Sequence, residues 1–153
     1  MDSHTLSNYK DLPIIHAHLD LEVDFVNKLL RGSVTHNFSE DRNTDLLVLD
    51  SKHLDVDSVK DERGNRLNFE VGNFDELLGS KFSIQLNKES KSVTIFYKTT
   101  NKSEALDWLM PNQTAGKNFP FMYTQGQSIF TRSWIPIQDT PGLRITYSAN
   151  IKT

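Results

Sequence analysis

From Ile15 the apolar residues fall on odd positions, Ile15, Ala17, Leu19, Leu21, Val23 and Phe25, while His16, His18, Asp20, Glu22 and Asp24 fill the even ones. Successive side chains of an extended backbone leave on opposite faces, so this run predicts a long strand buried on one side. A second run follows with Leu30, Gly32, Val34 and Phe38 on one face and Arg31, Ser33, Thr35 and Asn37 on the other. Asn27-Lys28 is the natural reversal between the two, which predicts a β-hairpin. Leu46-Leu47-Val48-Leu49 has no polar alternate and predicts a short strand covered on both faces in the middle of a sheet.

Further alternations at Leu54 to Val59, Leu67-Phe69-Val71, Phe82-Ile84-Leu86 and Val93 to Lys98 imply a meander of short strands, with a tight turn around Gly64. The last run sets Leu143, Ile145, Tyr147, Ala149 and Ile151 against Arg144, Thr146, Ser148, Asn150 and Lys152. No apolar period of 3.6 residues persists beyond about two turns. An all-β (mainly β) domain of about eight strands is expected, with few short helical turns and no internal repeat.

Residues 100–142 break the rhythm. They hold both tryptophans, four of the five prolines, and Gln113, Gln125, Gln127 and Gln138. Long irregular segments inside a compact domain often carry function. The alternative is that Trp108, Phe119, Phe121 and Trp134 simply plug one end of a sheet.

Composition narrows the function classes. The 153 residues carry 20 acidic and 17 basic side chains, a formal charge of −3. There is no bulk basic surface to neutralise phosphates, so nucleic acid is not an expected partner. The chain has no cysteine, which removes thiolate nucleophiles, disulfides and Cys-ligated metals. No apolar run approaches the ~20 residues of a membrane span, and Met1-Asp2-Ser3-His4-Thr5 does not open a signal peptide. A cytoplasmic location away from membranes is expected.

Candidate chemistry is sparse. His16 and His18, with Asp20, Glu22 and Asp24, put metal-ligand side chains along one strand face, but a single strand cannot wrap a tetrahedral ion, and a solvated face carries such residues routinely. His4, His36 and His53 have no partner at ligand spacing. No His-Glu-x-x-His, nucleophile elbow or phosphate loop occurs, so no catalytic or metal residue is assigned. Asp139-Thr140-Pro141-Gly142 reads as a structural corner. Gln125-Gly126-Gln127 sets two carboxamides at i and i+2 on an extended segment, with Gly126 permitting close backbone approach. Such a pair could hold a polar ligand group, or be two satisfied loop amides.

The stretch Met122-Tyr123-Thr124-Gln125-Gly126-Gln127-Ser128-Ile129, then Thr131-Arg132-Ser133-Trp134-Ile135-Pro136-Ile137-Gln138-Asp139-Thr140-Pro141-Gly142 and Arg144-Ile145-Thr146-Tyr147-Ser148-Ala149, resembles the N-terminal domain of zinc aminopeptidases related to leukotriene A(4) hydrolase and aminopeptidase N. Weaker likeness runs through Val23-Asp24-Phe25, Leu47-Val48-Leu49-Asp50 and Ser103 to Gly116. The resemblance implies a curved, saddle-like antiparallel or mixed β-sheet domain over residues 1–153. It also implies a separate zinc catalytic domain that this chain does not contain, so that the chain alone is not an enzyme.

In that family the N-terminal domain contributes a Gln-x-Gln or Gln-x-Glu pair that holds the free α-amine of a peptide substrate. Gln125 and Gln127 match those positions, with Gly126 between them. Gln127 stands where aminopeptidase N relatives usually carry glutamate, which favours the leukotriene A(4) hydrolase-like branch and an amine subsite with one fewer negative charge. The expected partners are the catalytic domain of the same parent and a peptide substrate, and zinc is implied for that catalytic domain only. The rival is a free-standing β-domain that binds a peptide or protein partner through residues 100–142.

Overall fold

The structure, a computed structural model, describes residues 2–153. The strands are β1 (Ile14–Asp24), β2 (Leu29–Phe38), β3 (Leu46–Ser51), β4 (Asp55–Asp61), β5 (Phe69–Asp75), β6 (Gly79–Gln85), β7 (Ser92–Lys98), β8 (Leu106–Leu109), β9 (Phe121–Thr124) and β10 (Thr146–Lys152). Single 3-10 turns at Pro111–Gln113 and Thr131–Ser133 are the helical content of the described residues. Five strands form a sheet in the order β10-β1-β2-β7-β4, three form β3-β6-β5, and β8-β9 is a hairpin. The β1–β10 pairing is parallel and the others antiparallel, giving the expected mainly β, mixed architecture.

The alternation of β1 and β2 does what its period requires. Ala17, Leu19, Leu21 and Val23 join Leu30, Val34 and Phe38 in one apolar cluster with Val93 and Ile95 of β7, and Leu47, Leu49, Phe82 and Ile84 of the three-stranded sheet close it from the other side. Fully burying each of these Val, Leu, Ile and Phe side chains contributes roughly 1.5–3 kcal/mol. The reversal occupies residues 25–28, where Asp24 accepts hydrogen bonds from the Asn27 backbone and side chain, both at 2.8 Å. Gly32 lies at φ +147°, and a Cβ there would meet the Asp20 carbonyl oxygen at 2.0 Å, so only glycine fits this crossing.

Three expectations need correction. Ile15 is 51% exposed and Ile14 takes the core position, because a register shift between Ile14 and His16 breaks the parity. The described residues form ten strands rather than about eight, since the irregular segment contains the short β8–β9 hairpin. β3 is buried on both faces as expected, yet it is an edge strand and not a central one. Its open edge is sealed by other means. Asn8 donates from Nδ2 to the Leu46 carbonyl at 2.7 Å and accepts from the Val48 N–H at 2.9 Å. Asp50 exchanges backbone hydrogen bonds with Ile137 at 2.8 and 3.1 Å, and the Lys52 N–H donates to the Arg132 carbonyl at 2.9 Å.

Arg132 is wholly buried and binds segments far apart in sequence. Its guanidinium donates to the Leu78 carbonyl at 2.8 Å, the His4 carbonyl at 2.7 Å, the Asp139 carbonyl at 3.0 Å and Asp139 Oδ2 at 3.1 Å. Nη1 also lies 3.5 Å from Oδ1 of the buried Asp50. Burial pushes the Asp50 carboxyl above its usual range, opposed by hydrogen bonds from Thr5, Leu6 and Asp139 and by the Arg132 charge. Arg132→Ala strands two carboxylates without their counter-ion, and a loss of about 3–5 kcal/mol in urea unfolding is expected. A loss under about 1 kcal/mol would show that the network is dispensable.

His36, on the buried face of β2, donates from Nε2 to the Pro136 carbonyl at 2.7 Å, while Nδ1 has no partner among the described residues. Protonation would bury a charge and an unpaired N–H, so burial lowers its pKa to about 4. The unfolded chain, with an imidazole near 6.5, takes the proton first. This contribution is therefore fully present above pH ~6.5 and is lost as pH falls towards about 4, amounting to about 3 kcal/mol. Chemical denaturation across that window should show a steeper acid-side loss for the wild type than for His36→Gln; equal slopes would contradict a neutral buried His36.

Candidate functional site

The Gln125-Gly126-Gln127 segment leaves the end of the β8–β9 hairpin. Leu106 pairs with Thr124, and the Gln125 N–H donates to the Ala105 carbonyl at 2.9 Å, carrying the ladder one residue beyond the strand. The hairpin is seated by its inner face. Trp108 and Met122 pack against the core cluster, and the Trp108 ring meets Phe25 edge-on at 5.7 Å. Trp134 also packs on the core, so two of the aromatic residues seal the sheet as plugs, while Phe119 and Phe121 are 78% and 54% exposed and do not.

Beyond Gln125 the chain turns sharply. The Phe130 N–H donates to the Gly126 carbonyl at 2.9 Å, and the 3-10 turn Thr131–Ser133 follows. Gly126 is required by proximity: a Cβ there would sit 2.4 Å from Thr131 Oγ1. Ser133 Oγ donates to the Phe130 carbonyl at 2.7 Å and accepts from the Glu104 and Ala105 N–H groups at 3.1 and 3.0 Å, tying the turn to the start of β8. The Arg132 network fixes the same turn from within. This part of the irregular segment is thus pinned at three points.

Gln125 and Gln127 are both exposed. The Gln125 carboxamide oxygen accepts the Gln127 N–H at 3.1 Å, which aims it and leaves a second lone pair open. The pair sits on a pinned support, with both side chains exposed to solvent. On the adjoining hairpin face, hydrogen bonding to and the charge of the Asp107 carboxylate raise the Tyr123 phenol above its ordinary pKa.

The other candidates have structural partners. His16 contacts Thr146 Oγ1 at 2.7 Å and Ser148 Oγ at 3.0 Å, and His18 contacts Ser148 Oγ at 2.7 Å, so the imidazoles bind the neighbouring β10. Among the described residues no three His, Cys, Asp or Glu side chains group to hold a metal ion. Asp139 belongs to the Arg132 network, and Thr140 Oγ1 accepts the Gly142 N–H at 3.1 Å, making 139–142 the structural corner expected. Arg132 itself went unassigned in the sequence, because its partners at His4, Leu78 and Asp139 are mostly backbone carbonyls that no spacing reveals.

Comparison with known proteins identifies the architecture. The peptidase M1 N-terminal domain family model matches residues 7–153. Leucine aminopeptidase 2 of Yarrowia lipolytica is 36% identical over 155 residues, covering 99% of this chain and 24% of the relative. Leucine aminopeptidase 2 of Saccharomyces cerevisiae is 36% identical over 158 residues, covering 99% of this chain and 23% of that protein. The chain spans about a quarter of the length of these curated relatives. The solved structure of yeast LTA4 hydrolase in complex with bestatin superposes with a TM-score of 0.90 at 36% identity, covering 99% of this chain and 24% of that one. The M1 zinc metallopeptidase of Deinococcus radiodurans, at a TM-score of 0.69, 20% identity and coverage of 92% and 32%, shares the fold. With one family model spanning nearly its whole length, this chain belongs to the peptidase M1 N-terminal domain family.

Proposed function

We propose that this chain serves as the non-catalytic N-terminal domain of a zinc-dependent aminopeptidase that removes N-terminal residues from peptides. In this reading Gln125 and Gln127 bind the substrate amine, and the 125–130 segment forms one wall of the active-site channel. The supporting observation is that Gln125 and Gln127 are both exposed on a turn that is pinned, with the Gln125 carboxamide aimed by the Gln127 N–H. An ammonium group needs acceptors, and amide oxygens held on a rigid support fix the first residue of a peptide so that its first peptide bond presents in one position.

The zinc belongs to the parent's catalytic domain in this reading, since the described residues offer no group to hold it. The partner is that catalytic domain, and the exposed Phe119, Phe121, Tyr147 and Ile151 supply apolar surface for contact with it. Among the described residues no helix is long and apolar enough to cross a membrane. A cytoplasmic location completes the proposal, which a cysteine-free chain accommodates.

In the full-length enzyme, Gln127→Ala should lower kcat/KM by about 1–3 kcal/mol, roughly five- to 150-fold, because a hydrogen bond to a charged group is lost. The melting temperature should not change, since the side chain is exposed. Unchanged peptidase kinetics would remove Gln127 from the site.

A further inference from the structure

The hairpin that presents Gln125 also carries a carboxylate, Asp107, that bonds the Tyr123 phenol and has no cationic partner among the described residues. In the β8–β9 register Asp107 stands opposite Tyr123, and Trp108 opposite Met122. The bond from the Gln125 N–H to the Ala105 carbonyl extends that ladder, so Ala105 lies opposite Gln125. Side chains alternate across the hairpin. Trp108 and Met122 turn to the core, and Asp107, Tyr123 and Gln125 share the outward face, with Asp107 exposed and Tyr123 42% exposed. Asp107 and Gln125 are diagonal cross-strand neighbours, on the order of 7 Å apart.

The cations nearby are already engaged. Lys52 Nζ lies 2.9 Å from both carboxylate oxygens of Glu104, and Arg132 is enclosed by Asp50 and Asp139. Asp107 forms no salt bridge among the described residues. Gln125 and Gln127 offer dipoles and no charge, whereas the ligand assigned to them above is a cation.

We propose that Asp107 is a further residue of the amine subsite, its carboxylate supplying beside Gln125 the negative charge that the Gln125–Gln127 pair lacks. This rests on the amine-binding reading of that pair. The charge acts on the N-terminal ammonium of a peptide within a Debye length, about 8–10 Å at ordinary ionic strength, so its effect is screened by salt. Tyr123, directly opposite, shares that face and hydrogen-bonds the carboxylate.

The test uses the full-length enzyme with a short peptide substrate and three variants, Asp107→Asn, Asp107→Glu and Gln127→Ala. Asp107→Asn should raise KM about two- to fivefold at low salt, the effect of one exposed charge, with kcat little changed. The difference from wild type should shrink as salt rises, and Asp107→Glu should restore most of the affinity. An unchanged KM in Asp107→Asn beside a raised KM in Gln127→Ala overturns the role of Asp107 and leaves the amine-binding reading standing. Unchanged kinetics in Gln127→Ala overturns both. A salt-independent loss in Asp107→Asn accompanied by a lower melting temperature, and not rescued by glutamate, shows a structural role and also overturns the proposal.

Discussion

The buried Arg132 guanidinium is the constraint on which the rest of this domain depends. It joins the N-terminal segment at His4, the β5–β6 turn at Leu78 and the corner at Asp139, and stands beside Asp50 on β3. Burying a charge is costly, and a buried ion network adds little net stability over apolar packing. What it gives here is placement. The donors of one planar group are satisfied only if three separate segments arrive together, with Asp50 beside them, which places the turn 131–133. Gly126 presses against Thr131 of that turn, and through this contact the carboxamide pair inherits its position.

The same network explains how an edge strand can be buried. β3 has a hydrogen-bonded neighbour on one side, β6, and would otherwise present open backbone groups on the other. Asn8 acts as a substitute strand for Leu46 and Val48, Ile137 pairs with Asp50, and Arg132 receives the Lys52 N–H. Irregular segments thus do the work of a regular strand, and the two halves of the chain close on one core.

Much of the fold was legible because long alternation is a strong signal. β1, β2 and β7 each bury one face as their residues require. A single register shift defeats the same rule at Ile15, since parity carries no information about bulges. The all-apolar Leu46–Leu49 announced burial on both faces, but burial does not say whether hydrogen bonds or a covering loop provides it. The four-residue strands β8 and β9 are too short for alternation to stand out, and their pairing across 11 intervening residues is non-local. Gln125 and Gln127 stood out by resemblance to a family, whereas spacing alone left them undecided. Arg132 and Asp107 gain meaning only from register and burial.

The central claim is that this domain contributes the amine-binding acceptors of a peptidase rather than a metal or a nucleophile. The most direct measurement is a crystal structure of the full-length protein bound to a peptide analogue with a free N-terminal amine. The account predicts the amine nitrogen about 3 Å from the side-chain oxygens of Gln125 and Gln127. An amine held entirely by residues outside this domain, with both carboxamides turned to solvent, would contradict it.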